Sequence, residues 1–144
     1  AIISIIVNGS PKGYFKFTKG VRHGDPLSAI IFSIADYYLS RLLTRLVDQN
    51  ELKPINASRN LNVPTHLLYT DEIILFQQGD KRNVQNLKKE LSHYEDISGQ
   101  NISWNKSFVF FGKKIPSARK SSVINLLSVK EGSFPFTWLR VPIF

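Results

Sequence analysis

The apolar positions of this chain follow two rhythms, one of three and four residues and one of two. Leu27, Ile30, Ile31, Ile34, Ala35, Tyr38, Leu42 and Leu46 recur at helical steps, with Ser33, Asp36, Ser40, Arg41 and Thr44 off the stripe. This predicts an amphipathic helix from Pro26 to about Asp48, lying against a sheet. Asp25 is placed to cap it, Pro26 suits its first turn, and Gly20 and Gly24 allow a sharp backbone before it. Val84, Leu87, Leu91, Tyr94 and Ile97 share one face of a second helix over residues 81–97, ended by Gly99 as a left-handed cap. A third is expected over residues 117–127, opened by Pro116, with Val123, Leu126 and Leu127 as its apolar side.

The strand-like runs lie between these helices. Residues 2–7 and 14–18 flank the turn-rich stretch Asn8-Gly9-Ser10-Pro11-Lys12-Gly13 and predict a hairpin, with Phe15 and Phe17 on one face and Tyr14, Lys16 and Thr18 on the other. Residues 67–76, LLYTDEIILF, predict a second hairpin, in which two apolar half-strands flank the tip Tyr69-Thr70-Asp71-Glu72. Residues 49–62 are polar, contain Pro54 and read as a loop. A short aromatic strand is expected over residues 108–111, and residues 134–144 read as an edge strand broken by Pro135 and Pro142. The order β-β-α-β-β-α-β-α-β, with antiparallel hairpins and helices on one side, indicates an α+β fold.

Composition narrows the classes. With 144 residues, 42% hydrophobic and 21% charged, the chain suits one globular domain with a real core. Its net charge of +8 makes a polyanionic partner such as nucleic acid plausible. Having no cysteine, it can form neither disulfides nor cysteine-based zinc sites. His23, His66 and His93 are too scattered for a metal box and read as surface or hydrogen-bonded residues. The apolar run over residues 1–7 is too short to cross a bilayer and lacks a basic leader, so no membrane partner is expected. The chain starts at Ala1 in mid-strand and contains no Met, which suggests a piece of a longer protein.

The candidate chemistry lies at the tip of the second hairpin. Carboxylates raised on rigid backbone suit two-metal phosphoryl transfer, which holds hard divalent ions about 3.5–4 Å apart. The bland alternative is an Asp that bonds its own turn.

Three stretches in this order resemble the reverse transcriptase domain of plant-type non-LTR retrotransposons, the long interspersed elements. GVRHGDPLSAIIF is similar to that family's Gly-Leu-Arg-Gln-Gly-Asp-Pro-Leu-Ser-Pro loop and helix. HLLYTDEIILF is similar to its polymerase hairpin, in which an aromatic and a small residue precede two aspartates. SGQNISWNKS, followed by FFGKKIP, is similar to the segment after the palm helix, and EGSFPFTWLRVPI also resembles a family segment.

The resemblance implies an incomplete right-hand polymerase palm, an antiparallel sheet with helices on one side. Residues 1–112 would form the partial palm and residues 113–144 the start of the connecting, thumb-side region. It implies RNA-directed DNA polymerase activity with Mg²⁺, an RNA template, a DNA primer, dNTP, other domains of a longer polyprotein and a nuclear setting. By position, Asp71 matches the first hairpin aspartate, a metal ligand, and Glu72 stands where the second belongs, giving both as catalytic and metal-binding candidates. Arg22, His23, Gly24, Asp25, Pro26 and Ser28 match the loop beside template and nascent base pair. Lys106 matches the lysine after the palm helix, a phosphate or nucleotide contact.

The departures point to loss of function. Glu72 is one methylene longer than Asp, His23 replaces Gln, Ala29 and Thr70 replace Pro and Ala, and Arg140 stands in place of a Gly. The preceding strand, which carries another metal-binding aspartate in the family, is outside these residues, and Asp36 lies on a helix and cannot replace it. The expectation is a fragment that is inactive alone and binds Mg²⁺ weakly. The alternatives are a decayed element product, or a non-catalytic nucleic-acid binder using Lys12, Lys16, Arg22, Lys106, Lys113 and Lys114, with Trp104 or a Phe stacking on bases.

Overall fold

A computed structural model describes residues 2–16, 26–55 and 63–143. Its elements in chain order are β1 (Ile2–Val7), β2 (Ser10–Lys16), α1 (Pro26–Asp48), β3 (His66–Tyr69), β4 (Glu72–Leu75), α2 (Lys81–Ser98), β5 (Phe108–Val109), α3 (Ser117–Leu127), β6 (Lys130–Glu131), β7 (Phe136–Trp138) and β8 (Val141–Ile143). The class is mixed α and β, as the two rhythms predict.

The core is where α1 crosses α2. Leu39, Leu42, Leu43 and Leu46 of α1 meet Leu87, Leu91 and Tyr94 of α2, with Leu52 beneath them. Each fully buried aliphatic side chain contributes about 1.5–3 kcal/mol. Helix α2 is held at both ends. Asp80 accepts from the Asn83 N–H at 3.0 Å, and Gly99, at φ 70°, donates its N–H to the Glu95 carbonyl.

The first helix follows its expected stripe only towards its C-terminal end, where Leu42 and Leu46 are buried and Ala35 packs against the core. Leu27, Ile30, Ile31 and Ile34 are exposed, whereas Leu39 and Leu43, off that stripe, are buried. At 100° per residue the bare stripe is centred about 120° around the axis from the buried one. The first half of α1 is apolar on both faces, so periodicity alone could not pick the one the core uses. On α2, Ile97 is likewise exposed rather than buried.

The strands form four two-stranded ladders rather than one antiparallel sheet, among the described residues. Three are antiparallel hairpins, and β5 pairs with β6 in parallel. In the first hairpin the turn is only Asn8-Gly9, both at positive φ, and β2 begins at Ser10 rather than Tyr14. The register steps from Ser4↔Tyr14 to Ile5↔Lys12, which leaves Gly13, at φ 66°, as the extra residue of a bulge. The C-terminal stretch is a hairpin, β7 with β8, not a single broken strand. Its turn is Leu139-Arg140, at φ 50° and 65°.

Contacts cross residue 112. Besides the β5–β6 ladder, α3 packs on α2, where Lys88 Nζ donates to the Leu126 carbonyl at 2.6 Å. No helix among the described residues is long and apolar enough to cross a membrane.

Candidate functional site

The acid-tipped hairpin forms as expected. Leu67 pairs with Ile74, Leu68 with Ile73 and Tyr69 with Glu72, leaving Thr70 and Asp71 as a two-residue turn. Leu68 and Leu75 pack against the core, which seats one face of the hairpin. His66 shares that face. Strand alternation therefore sets Glu72, with Tyr69 and Leu67, on the opposite one.

His66 ties the hairpin to α1. Its Nε2 lies 2.9 Å from the Ser40 hydroxyl and its Nδ1 2.7 Å from that of Thr65. Burial between strand and helix pushes its pKa below the usual histidine value of 6.5. The expectation of a hydrogen-bonded rather than metal-ligating histidine fits this arrangement. One helical turn before Ser40, burial raises the Asp36 carboxyl above its ordinary 3.8.

At the crest, Asp71 and Glu72 are both exposed. Thr70 sits at φ 48° and its hydroxyl donates to Asp71 Oδ1 at 2.9 Å, so one oxygen of the best candidate ligand already has a partner. No three His, Cys, Asp or Glu side chains converge as a metal cage among the described residues. Two crest carboxylates, one of them engaged, do not meet the six-oxygen demand of Mg²⁺. The described donors do not complete a site for that ion.

The remaining candidates are spread out. Arg22, His23, Gly24 and Asp25 lie outside the described residues. Pro26 opens α1 and is exposed, and Ser28 is half-buried two residues on. Lys106 ends a short 3₁₀ turn, Trp104–Lys106, and is exposed. No hydrogen bond or ion pair among the described residues joins Lys106 to the crest. Lys12 and Lys16 are exposed on β2, as are Lys113 and Lys114 before α3. Trp104 is half-buried against the core, which leaves only part of its ring open to a base. Phe110 stacks on Phe136 at 4.1 Å between ring centroids and meets Phe134 at 5.3 Å, so much of the Phe cluster is internal packing.

One feature escaped the sequence. Asn83, in the first turn of α2, is buried. It accepts from Lys53 N–H at 2.7 Å and donates to the carbonyls of Gln78 and Lys53 at 2.8 and 3.2 Å. It thereby fixes the strand-like segment that bridges Pro54 to Gln77 beside the hairpin. Charge is also segregated. Beyond Gly99 stand Lys106, Lys113, Lys114, Arg119, Lys120, Lys130 and Arg140, with Glu131 as the one acid. That acid is paired with Lys120 at 2.7 Å.

Comparison with known proteins adds one partial likeness. The chain is 39% identical over 67 residues to an Arabidopsis thaliana protein named as an uncharacterized mitochondrial protein, a match covering 46% of this chain and 55% of that one. The chain thus spans about half the length of this relative. No protein-family model matches it, and no solved structure matches it.

Proposed function

We propose that this chain is a partial palm of a retrotransposon reverse transcriptase that does not polymerise alone. The observation that carries the reading is the β3–β4 hairpin. It lifts Asp71 and Glu72 to an exposed crest, on a hairpin whose Leu68 and Leu75 pack against the α1–α2 core. On this reading Asp71 is the surviving metal-binding aspartate and Glu72 a lengthened substitute for the second. An Asp on a neighbouring strand would have to supply further oxygens. Mg²⁺, RNA template, DNA primer, dNTP and a nuclear setting belong to the same proposal. The word mitochondrial in the relative's name describes that relative.

RNA-templated primer extension tests it. The chain alone yields no product with Mg²⁺ or Mn²⁺. A longer chain that restores an acid-bearing strand before Ala1, with Glu72→Asp, extends the primer. Failure of that longer chain argues against the reading.

A second reading is favoured by the charge segregation: a non-catalytic binder of nucleic-acid phosphates through Lys106, Lys113, Lys114 and Arg119. Affinity for single-stranded RNA that falls steeply with salt supports it, and salt-insensitive or absent binding removes it.

A further inference from the structure

The first half of α1 is apolar on two sides, and the described residues cover one. Leu27, Ile30, Ile31, Ile34, Tyr37 and Tyr38 are each 38–68% exposed. The first five form a continuous stripe on the face turned away from Leu39 and Leu43, and Tyr38, stacked on Tyr94 at 6.4 Å between ring centroids, edges it. From Pro26 to Ser40 the helix carries a single charge, Asp36, and Asp36 is half-buried rather than on the stripe's rim. An exposed helix normally carries polar residues on the face away from its core. This one does not, and a patch of this size marks an interaction site.

We propose that the patch pairs with its own copy, making a two-fold dimer through α1. A two-fold contact requires the same surface to offer both a ridge and a groove. Here Ile30, Ile34 and Tyr37 wall a shallow groove floored by Ala29 and Ser33. Ridge and groove are thus adjacent on one helix, as interdigitated packing of two helices needs. The Ser33 hydroxyl donates to the Ala29 carbonyl at 2.8 Å, so the groove floor presents no unsatisfied hydroxyl to a dry contact. The six side chains offer on the order of 600–700 Å² per copy, close to the ~800 Å² each partner buries in a stable interface of standard size. The stripe ends at Arg41 and Arg45, where the exposed surface becomes charged and the apolar contact stops.

Sedimentation velocity on the full chain over the micromolar range reads the outcome. The chain is a dimer, and Ile34→Glu, which sets a charge in the dry contact, raises the dissociation constant by about a hundredfold or more. Because the chain has no cysteine, Ile30→Cys provides a test that does not disrupt the surface. It forms a disulfide-linked dimer under mild oxidation, while Ile97→Cys, equally exposed on α2, stays unlinked. A monomer throughout the concentration range overturns the proposal. So does a dimer that Ile34→Glu leaves intact, or linkage of Ile97→Cys as fast as that of Ile30→Cys. If Ile34→Glu fails to fold, the two cysteine variants decide.

Discussion

The Ser40 hydroxyl lies 2.9 Å from Nε2 of His66, and this pair pins the acid-tipped hairpin to the middle of the first helix. With Thr65 on the other ring nitrogen, both imidazole nitrogens are engaged. Burial favours the neutral ring.

That preference sets a pH dependence. The folded-state pKa of His66 is below the unfolded value of 6.5, so on acidification the unfolded chain takes up the proton first. Stability is fully present above 6.5 and falls as pH drops from there towards the folded pKa. Thermal melts through the weakly acidic range should show this slope, and His66→Gln should flatten it. Asp36 acts with the opposite sign. Its carboxyl is raised above 3.8, so its ionisation opposes folding at neutral pH, and that opposition is relieved as pH falls through its folded pKa.

Asn83 should be the most sensitive polar residue of the fold. Asn83→Ala removes three hydrogen bonds and strands the Lys53 N–H together with partly buried carbonyls. The expected loss is about 2–3 kcal/mol in urea unfolding. Asn83→Asp keeps the acceptor for Lys53 N–H and should lose less of that contact, though it adds a charge to a buried position.

Gly132 approaches the Phe110 ring so closely that an added Cβ would overlap it. Its N–H also donates to the Val109 carbonyl at 2.9 Å, beside the parallel β5–β6 ladder. Gly132→Ala should destabilise the chain by about 1–3 kcal/mol through overpacking. Near-ultraviolet circular dichroism should report loosening of the stacked Phe110 and Phe136.

How legible the fold was depended on whether a local signal existed. Helix α2 could be read almost to the residue because Val84, Leu87, Leu91 and Tyr94 share one face and Gly99 supplies a left-handed stop. The acid-tipped hairpin was legible because apolar runs flank the Tyr69-Thr70-Asp71-Glu72 tip, although the pairing of Tyr69 with Glu72 narrows the turn to Thr70 and Asp71. Helix α1 could be placed but not oriented, since its first half is apolar on both faces. The C-terminal hairpin was hidden because Leu139 and Arg140 take positive φ without the Gly, Asn or Asp that announces such a turn. The parallel pairing of Phe108 and Val109 with Lys130 and Glu131 joins segments twenty residues apart and leaves no local pattern. At the candidate site the crest acids were legible. The hydrogen bond from Thr70 to Asp71 and the burial of Asn83 depend on geometry and were not.

The crest itself should tolerate change in stability terms. Asp71→Asn and Glu72→Asp alter exposed side chains and should each shift unfolding by no more than about 0.5 kcal/mol. A change in ion binding by either variant would therefore not be a folding effect.

Mn²⁺ titration of the isotopically labelled chain, followed by broadening of backbone amide resonances, tests the crest directly. The account predicts weak, saturable broadening centred on Asp71 and Glu72, abolished by Asp71→Asn and strengthened by Glu72→Asp. Broadening that misses the crest, or persists unchanged in Asp71→Asn, would contradict it.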